Sequence, residues 1–133
     1  MKNKYRRTQT TVSFINYHFI FCPRYRRKIF DIPSVEDNFK CLVNDICGEM
    51  NIEIIAMECG RDYTYMYLNC PPTLSPSTIM KKLKDTTSKV LRNKFDELSK
   101  MPSLWTKNYF VSTAENISNE TIKKYVESQR TRY

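Results

Sequence analysis

The spacing of apolar and polar positions changes several times along the chain, and each change marks an element. From residue 10 to residue 22, β-branched and aromatic side chains (Thr11, Val12, Phe14, Ile15, Tyr17, Phe19, Ile20, Phe21) occupy both alternating faces, the pattern of a long strand covered on both sides. Pro33 and Ser34 open a helix in which Phe39, Leu42, Val43, Ile46 and Met50 recur at helical spacing. Ser34 is placed to cap it, and Glu36 and Asp37 lie in the first turn, where the helix dipole favours acids. A strand over 52–58 alternates Ile52, Ile54 and Ala56 against Glu53, Ile55 and Met57, and a short turn through Gly60 joins it to a strand over 63–69. In that second strand Tyr63, Tyr65 and Tyr67 share one face, and Thr64, Met66 and Leu68 share the other. Ser75 and Pro76 begin a longer helix with the apolar stripe Ile79, Met80, Leu83, Val90, Leu91, Phe95 and Leu98. After Pro102, residues 104–112 read as a fourth strand carrying Trp105, Tyr109 and Phe110. Ser118 or Asn119 then caps a last helix, 118–133, with Ile122, Tyr125, Val126 and Gln129 on one side.

The order strand, helix, strand, strand, helix, strand predicts an α+β, ferredoxin-like βαββαβ antiparallel sheet with two helices on one face and an extra C-terminal helix. Neither a repeat nor a long linker divides the 133 residues, so a single domain, 1–133, is expected, with a mobile basic arm over 1–9. Such a fold hosts many activities and does not by itself assign one.

Charge narrows the choice. A formal net charge of +8 and a pI near 9.3, with aromatic residues at 13% interleaved among the cations, favour an acidic polymer as partner, and nucleic acid first. Candidate DNA-binding cations are Arg6 and Arg7 in the arm, Arg24, Arg26, Arg27 and Lys28 around Tyr25, and Lys81, Lys82, Lys84, Lys89 and Arg92 on the long helix, where Thr86, Thr87 and Ser88 add hydroxyls. Solvated surface accounts for the same charges without a partner. The five cysteines form no C-x-x-C pair and there is a single histidine, which argues against a zinc site and makes the thiols small core residues. With no leader-like segment and no apolar run of membrane length, a cytoplasmic protein with reduced thiols and no membrane partner is expected.

Several blocks, in one order, resemble the single-tyrosine HUH transposases of small insertion sequences, the type named after insertion sequence 200, which are related to the repeat-associated tyrosine transposases. They are Asn16-Tyr17-His18-Phe19-Ile20-Phe21-Cys22-Pro23-Arg24-Tyr25-Arg26-Arg27-Lys28, the Ser75-Pro76 helix with Leu83-Lys84, the stretch from Trp105 to Thr113, and Lys123-Lys124-Tyr125-Val126-Glu127-Ser128-Gln129. The resemblance implies a homodimer that binds imperfect hairpins in single-stranded DNA and cleaves nearby, a tyrosine attacking the scissile phosphate to leave a 5′-phosphotyrosine for strand transfer. By position, Tyr125 matches that nucleophile, and Gln129 matches a residue that helps hold Mg²⁺ or Mn²⁺. It further implies that the two sheets of the dimer join and that the tyrosine helix of one subunit serves the metal site of the other.

The sequence departs from that pattern where the metal would be held. Family members carry His-hydrophobic-His, and here the chain reads Asp62-Tyr63-Thr64-Tyr65, so Tyr63 and Tyr65 stand at the two histidine positions. A phenol with a pKa of about 10 stays protonated at neutral pH and is a poor ligand for Mg²⁺. His18 reads as a packed strand residue; among the nearby carboxylates Glu58 and Asp62, alternation puts Asp62 on the opposite face from the two tyrosines. The expected function is therefore transposase-like binding of DNA hairpins without cleavage. Two other readings stay open: an active transposase with a remodelled metal site, and an RNA-binding module that stacks bases on Tyr63, Tyr65 and Tyr67.

Overall fold

The computed structural model describes residues 5–129; Lys2 and Lys4 of the expected arm, and the final residues of the expected helix 118–133, lie outside the described residues. In chain order the elements are β1 (Arg6–Arg7), β2 (Val12–Ser13), β3 (Ile15–Phe21), α1 (Val35–Glu49), β4 (Glu53–Cys59), β5 (Thr64–Cys70), α2 (Pro76–Lys94), α3 (Asp96–Ser99), β6 (Phe110–Ser112) and α4 (Asn119–Ser128). Strands β3 to β6 form one antiparallel sheet in the order β4-β5-β3-β6, the expected ferredoxin-like arrangement, while β1 and β2 pair as a separate small hairpin.

Alternation along the two central strands divides the molecule into layers. Phe19 and Phe21 of β3 and Met66 and Leu68 of β5 point to one face, where Phe39, Val43 and Ile46 of α1 and Ile79, Leu83 and Leu91 of α2 close over them; nearly all are wholly buried. Ile20 and Cys22 point to the other face and are covered by Ile122 and Val126 of α4. Ser75 caps α2 by accepting a hydrogen bond from the Thr78 backbone N–H at 3.1 Å, and Ser118 does the same for α4 through Thr121 at 3.1 Å.

Six expectations about the elements need correction. The strand expected over 10–22 breaks at Phe14, because its partner β5 ends at Cys70 opposite Ile15 and is followed by Pro71 and Pro72, which bring no N–H to continue the ladder. The freed residues Val12 and Ser13 fold back on Arg6 and Arg7, so from residue 5 on the arm is structured. Ser34 does not cap α1 with its side chain: it sits at φ 73, and its carbonyl accepts from the Asn38 side chain at 2.7 Å. The fourth strand shrinks to Phe110–Ser112, because Trp105 is drawn into the core. There its ring lies 4.8 Å from that of Phe21 and 5.5 Å from that of Phe39, and its indole N–H donates to Thr87 Oγ1 at 3.0 Å. Thr87, not Val90, therefore continues the buried stripe of α2, which ends before Phe95 and Leu98; Val90 is exposed. Finally, β4 carries a bulge between Ile54 and Ala56, which exposes Ile55 and turns Met57 and Cys59 inward and Glu58 outward, the reverse of the phase a regular strand would keep.

Trp105 links α2, β3 and α1, so its truncation tests the core as a whole. Trp105→Ala is expected to lower unfolding free energy by about 3–5 kcal/mol, read as a fall in the urea midpoint by far-UV circular dichroism.

Candidate functional site

The pairing of β3 with β5 brings the residues of interest onto the sheet face beneath α4. His18 stands opposite Tyr67, and Ile20 opposite Tyr65; on the neighbouring strands Ser112 faces His18, Phe110 faces Ile20, and Glu58, turned by the bulge, faces Tyr65. Helix α4 lays Tyr125 against Phe110, with ring centroids 5.8 Å apart. Tyr125, Tyr63 and Tyr65 all pack on the cluster built by Ile20, Cys22, Ile122 and Val126, so the positions marked by the sequence do converge.

Hydrogen bonding decides what they can do. His18 is buried, its Nε2 lies 2.9 Å from the Ala114 carbonyl, and its Nδ1 lies 2.8 Å from the Tyr65 hydroxyl. A carbonyl only accepts, so Nε2 carries the proton; in the neutral ring Nδ1 then accepts from the Tyr65 O–H. The imidazole also stacks on Tyr67 at 4.1 Å and 5°. Tyr67 accepts at 3.3 Å from Asn16, whose Oδ1 accepts from Asn69 at 2.7 Å; Asn69 in turn accepts from Arg6 Nε at 2.8 Å. Burial, and then the neighbouring Tyr67 and Glu58, push the Tyr65 phenol above its ordinary value. Tyr63 is raised in the same direction by burial and by Glu58 and Asp62, and its ring folds over Gly60 so closely that a Cβ there would stand 2.0 Å from a ring carbon. Asp62 turns away and pairs with Arg26 at 3.2 Å.

Tyr125 itself is half-buried. Its hydroxyl is sealed from solvent and has no hydrogen-bond partner among the described residues, and burial, with the nearby Cys22, pushes its pKa up. Cys22 is likewise held protonated, pushed up to about 12 chiefly by burial. Gln129 closes α4 at its C-terminal end, buried, with its side-chain amide 3.3 Å from Ser128 Oγ. Two phenols, one of them already donating, a carboxamide turned toward its own helix end and Glu58 do not fit Mg²⁺ or Mn²⁺, which want several anionic or carbonyl oxygens. No group of three or more His, Cys, Asp or Glu side chains able to hold a metal occurs among the described residues.

The cations divide into two classes. Lys84 reaches across to the carbonyls of Thr106 at 2.7 Å and Asn108 at 3.1 Å; Arg92 holds Ser88 and the Met101 carbonyl; Arg6 holds Asn69; Lys81 pairs with Asp85. Lys84, Arg92 and Arg6 spend donors inside the fold, whereas Lys81 meets Asp85 on the exposed face of the helix; Thr87 and Ser88, read from the sequence as surface hydroxyls, are buried. Arg7, Arg27, Lys28, Lys82 and Lys89 are exposed, while Arg24 and Arg26 are half-covered. The Asn16–Asn69–Arg6 chain was not foreseen; its only trace in the sequence is a polar residue in each central strand on the face shared with His18 and Tyr67.

Residues 11–129 match the family described as Transposase IS200 like. The chain belongs to that family. It is 27% identical over 118 residues to the ISDra2 transposase TnpA of Deinococcus radiodurans, covering 86% of this chain and 84% of the relative. The transposase for insertion sequence element IS200 of Salmonella typhimurium is 29% identical over 116 residues, 85% of this chain and 75% of that one. Among solved structures, a transposase crystal structure from Deinococcus radiodurans superposes with a TM-score of 0.86 at 25% identity, over 94% of this chain and 98% of the other. A repeat-associated tyrosine transposase bound to its hairpin superposes with a TM-score of 0.60 over 96% of this chain and 70% of the other; at 12% identity it shows the fold alone. The IS200-like fold thus carries here a hydrogen-bonded Tyr65–His18 pair beneath its C-terminal helix.

Two measurements test this geometry. Tyr65→Phe strands the buried His18 Nδ1 without a partner and is expected to cost about 1–3 kcal/mol in urea unfolding, whereas Tyr63→Phe should stay within about 0.5 kcal/mol. For Lys84, burial lowers the pKa from 10.5 to about 8, so between those values the unfolded chain binds a proton that the folded chain has released. The stability this group contributes is complete above 10.5 and is lost as pH falls through about 8. The difference in unfolding free energy between wild type and Lys84→Met should therefore move toward the wild type as pH is raised across that interval.

Proposed function

We propose that this IS200-like protein binds hairpins in single-stranded DNA and does not cleave them. The observation that carries the reading is that Tyr65, at one of the two positions where a metal-binding histidine is expected, is a protonated phenol whose O–H is committed to His18. A phosphotyrosine transfer needs the attacking phenol activated by a base, a lowered pKa or a metal. Tyr125 has the opposite setting: its hydroxyl is buried and unpartnered among the described residues, and its pKa is raised. The binding surface does not depend on that chemistry, because the exposed Arg27, Lys28, Lys82 and Lys89 lie outside it. The hairpin bound to the structural relative is that protein's ligand; its shared fold makes a hairpin the first one to try here.

A second reading, an active transposase with a remodelled site using Mg²⁺ or Mn²⁺, is favoured by one feature: the bulge turns Glu58 to face Tyr65. RNA binding on a tyrosine platform has less support, since Tyr67 is stacked on His18, Tyr65 is bonded to it and Tyr63 lies over Gly60. We also propose a homodimer acting in the cytoplasm, with Tyr125 of α4 as the inherited nucleophile position and Gln129 as the inherited ligand position.

Labelled hairpin DNA is incubated with the protein and Mg²⁺ or Mn²⁺ and run on a denaturing gel beside Tyr125→Phe, with a binding assay in parallel. Binding without a covalent adduct is expected; an adduct that vanishes in the Phe variant would establish the active reading instead. A Tyr63→His/Tyr65→His double variant should gain Mn²⁺ binding by calorimetry and a Tyr125-dependent adduct. Tighter binding of an unrelated RNA of equal length would overturn the choice of DNA. Light scattering at micromolar concentration should give twice the 15.9 kDa chain mass, and a monomer would remove the dimer.

A further inference from the structure

The turn after β3 is built under strain and presents an aromatic ring. Tyr25 at φ 60 and Arg26 at φ 50 are consecutive residues in the left-handed region, which side chains other than glycine rarely adopt. The surroundings impose it. The Arg24 backbone N–H donates to the Leu104 carbonyl at 2.9 Å, those of Arg26 and Arg27 donate back to Pro23 and Arg24 at 3.1 and 3.2 Å, and the Arg26 side chain is held by Asp62. Strain of this kind persists where the surrounding structure over-determines it, and it concentrates at ligand clamps.

Its result is a particular surface. Tyr25 stands out, 43% exposed, and the Arg27 guanidinium lies 5.9 Å from its ring centroid. Arg24 Nε is buried against the turn with no partner among the described residues. Arg24, Tyr25, Arg27 and Lys100 line a hollow of about 370 Å³, where the one acid is Glu97. Beyond Arg27, a wider hollow of about 650 Å³ adds Lys28 on one side and Asp96 on the other. Arg26 closes the turn's far side and lines a third hollow, of about 250 Å³, between Tyr63 and α4.

We propose that this turn is a clamp for an unpaired nucleotide: a base stacks on Tyr25, and the phosphates flanking it lie on Arg24, Arg27 and Lys100. The inference rests on the reading that the protein binds DNA and adds where an unpaired strand is held. An exposed ring flanked by cations serves a base with a free π-face, which a duplex does not offer, while the guanidinium groups suit the phosphates that accompany it. Tyr25 has no part in the chemistry of Tyr125 or in the Tyr65–His18 pair. Arg26, the next residue along the turn, lines both the wider hollow beside the clamp and the hollow beside α4.

The test compares two labelled hairpins of one sequence, blunt-ended and with an unpaired tail, by fluorescence anisotropy. Wild type should bind the tailed hairpin more tightly. Tyr25→Ala should weaken the tailed hairpin about tenfold and leave the blunt one unchanged, in keeping with the stacking worth of one base, while Tyr25→Phe keeps wild-type affinity. Arg27→Gln should weaken the tailed hairpin and reduce the slope of log Kd against log salt by about 0.7–0.9, one phosphate contact. Unfolding midpoints equal to wild type confirm that the exposed changes leave the fold alone. Equal losses of Tyr25→Ala on both hairpins, or none on the tailed one, overturn the clamp and leave DNA binding standing. Failure of the wild type to bind either hairpin overturns both.

Discussion

The seven-residue pairing of β3 with β5 is the constraint on which the rest depends. Its register, from Ile15 opposite Cys70 to Phe21 opposite Thr64, sends Phe19, Phe21, Met66 and Leu68 toward α1 and α2 and sends His18, Ile20, Tyr65 and Tyr67 toward α4. A slip of one residue would exchange the two sets, placing a histidine and two phenols in the aromatic core and four large apolar groups under the last helix. Core packing and the polar network beneath α4 are therefore two readings of one register, and neither can be altered without strain on the other.

Polar groups in the interior follow the same economy. Thr87 receives the Trp105 indole N–H and donates to the Leu83 carbonyl, Ser88 receives the Leu104 N–H, and Lys84 holds the carbonyls of Thr106 and Asn108. Through these three residues of one helix the irregular chain after α3 is fastened where a strand was expected, and its backbone is satisfied without a ladder. The cost falls on surface charge: a helix with many cations in its sequence offers fewer to a partner than its composition suggests.

Much of this was legible in the sequence. The element order, the two-faced strand over 63–69 and the placement of Tyr125 on a helix side with Ile122 and Val126 all follow from periodicity, because burial of one face is what periodicity records. What was not legible depended on contacts distant in sequence. Periodicity cannot show that Lys84 turns to the segment after Trp105, that Arg6 is tied to Asn69, or that His18 and Tyr65, 47 residues apart, share a proton donor and acceptor. The bulge in β4 escaped for a different reason: Ile54, Ile55 and Ala56 give an apolar run in which either phase reads equally well.

That bulge has a bearing on assembly. β4 is an outer strand of the sheet, so its free N–H and C=O groups face outward and invite another chain. The irregularity between Ile54 and Ala56 interrupts the row of groups that an incoming strand would have to match, and the opposite border, β6, is only three residues long. Each border thus offers a ladder of a few residues at most. A second subunit can meet such a sheet along a short length only, and a broken edge at one margin with a short one at the other disfavours the continuous pairing that a fibre needs.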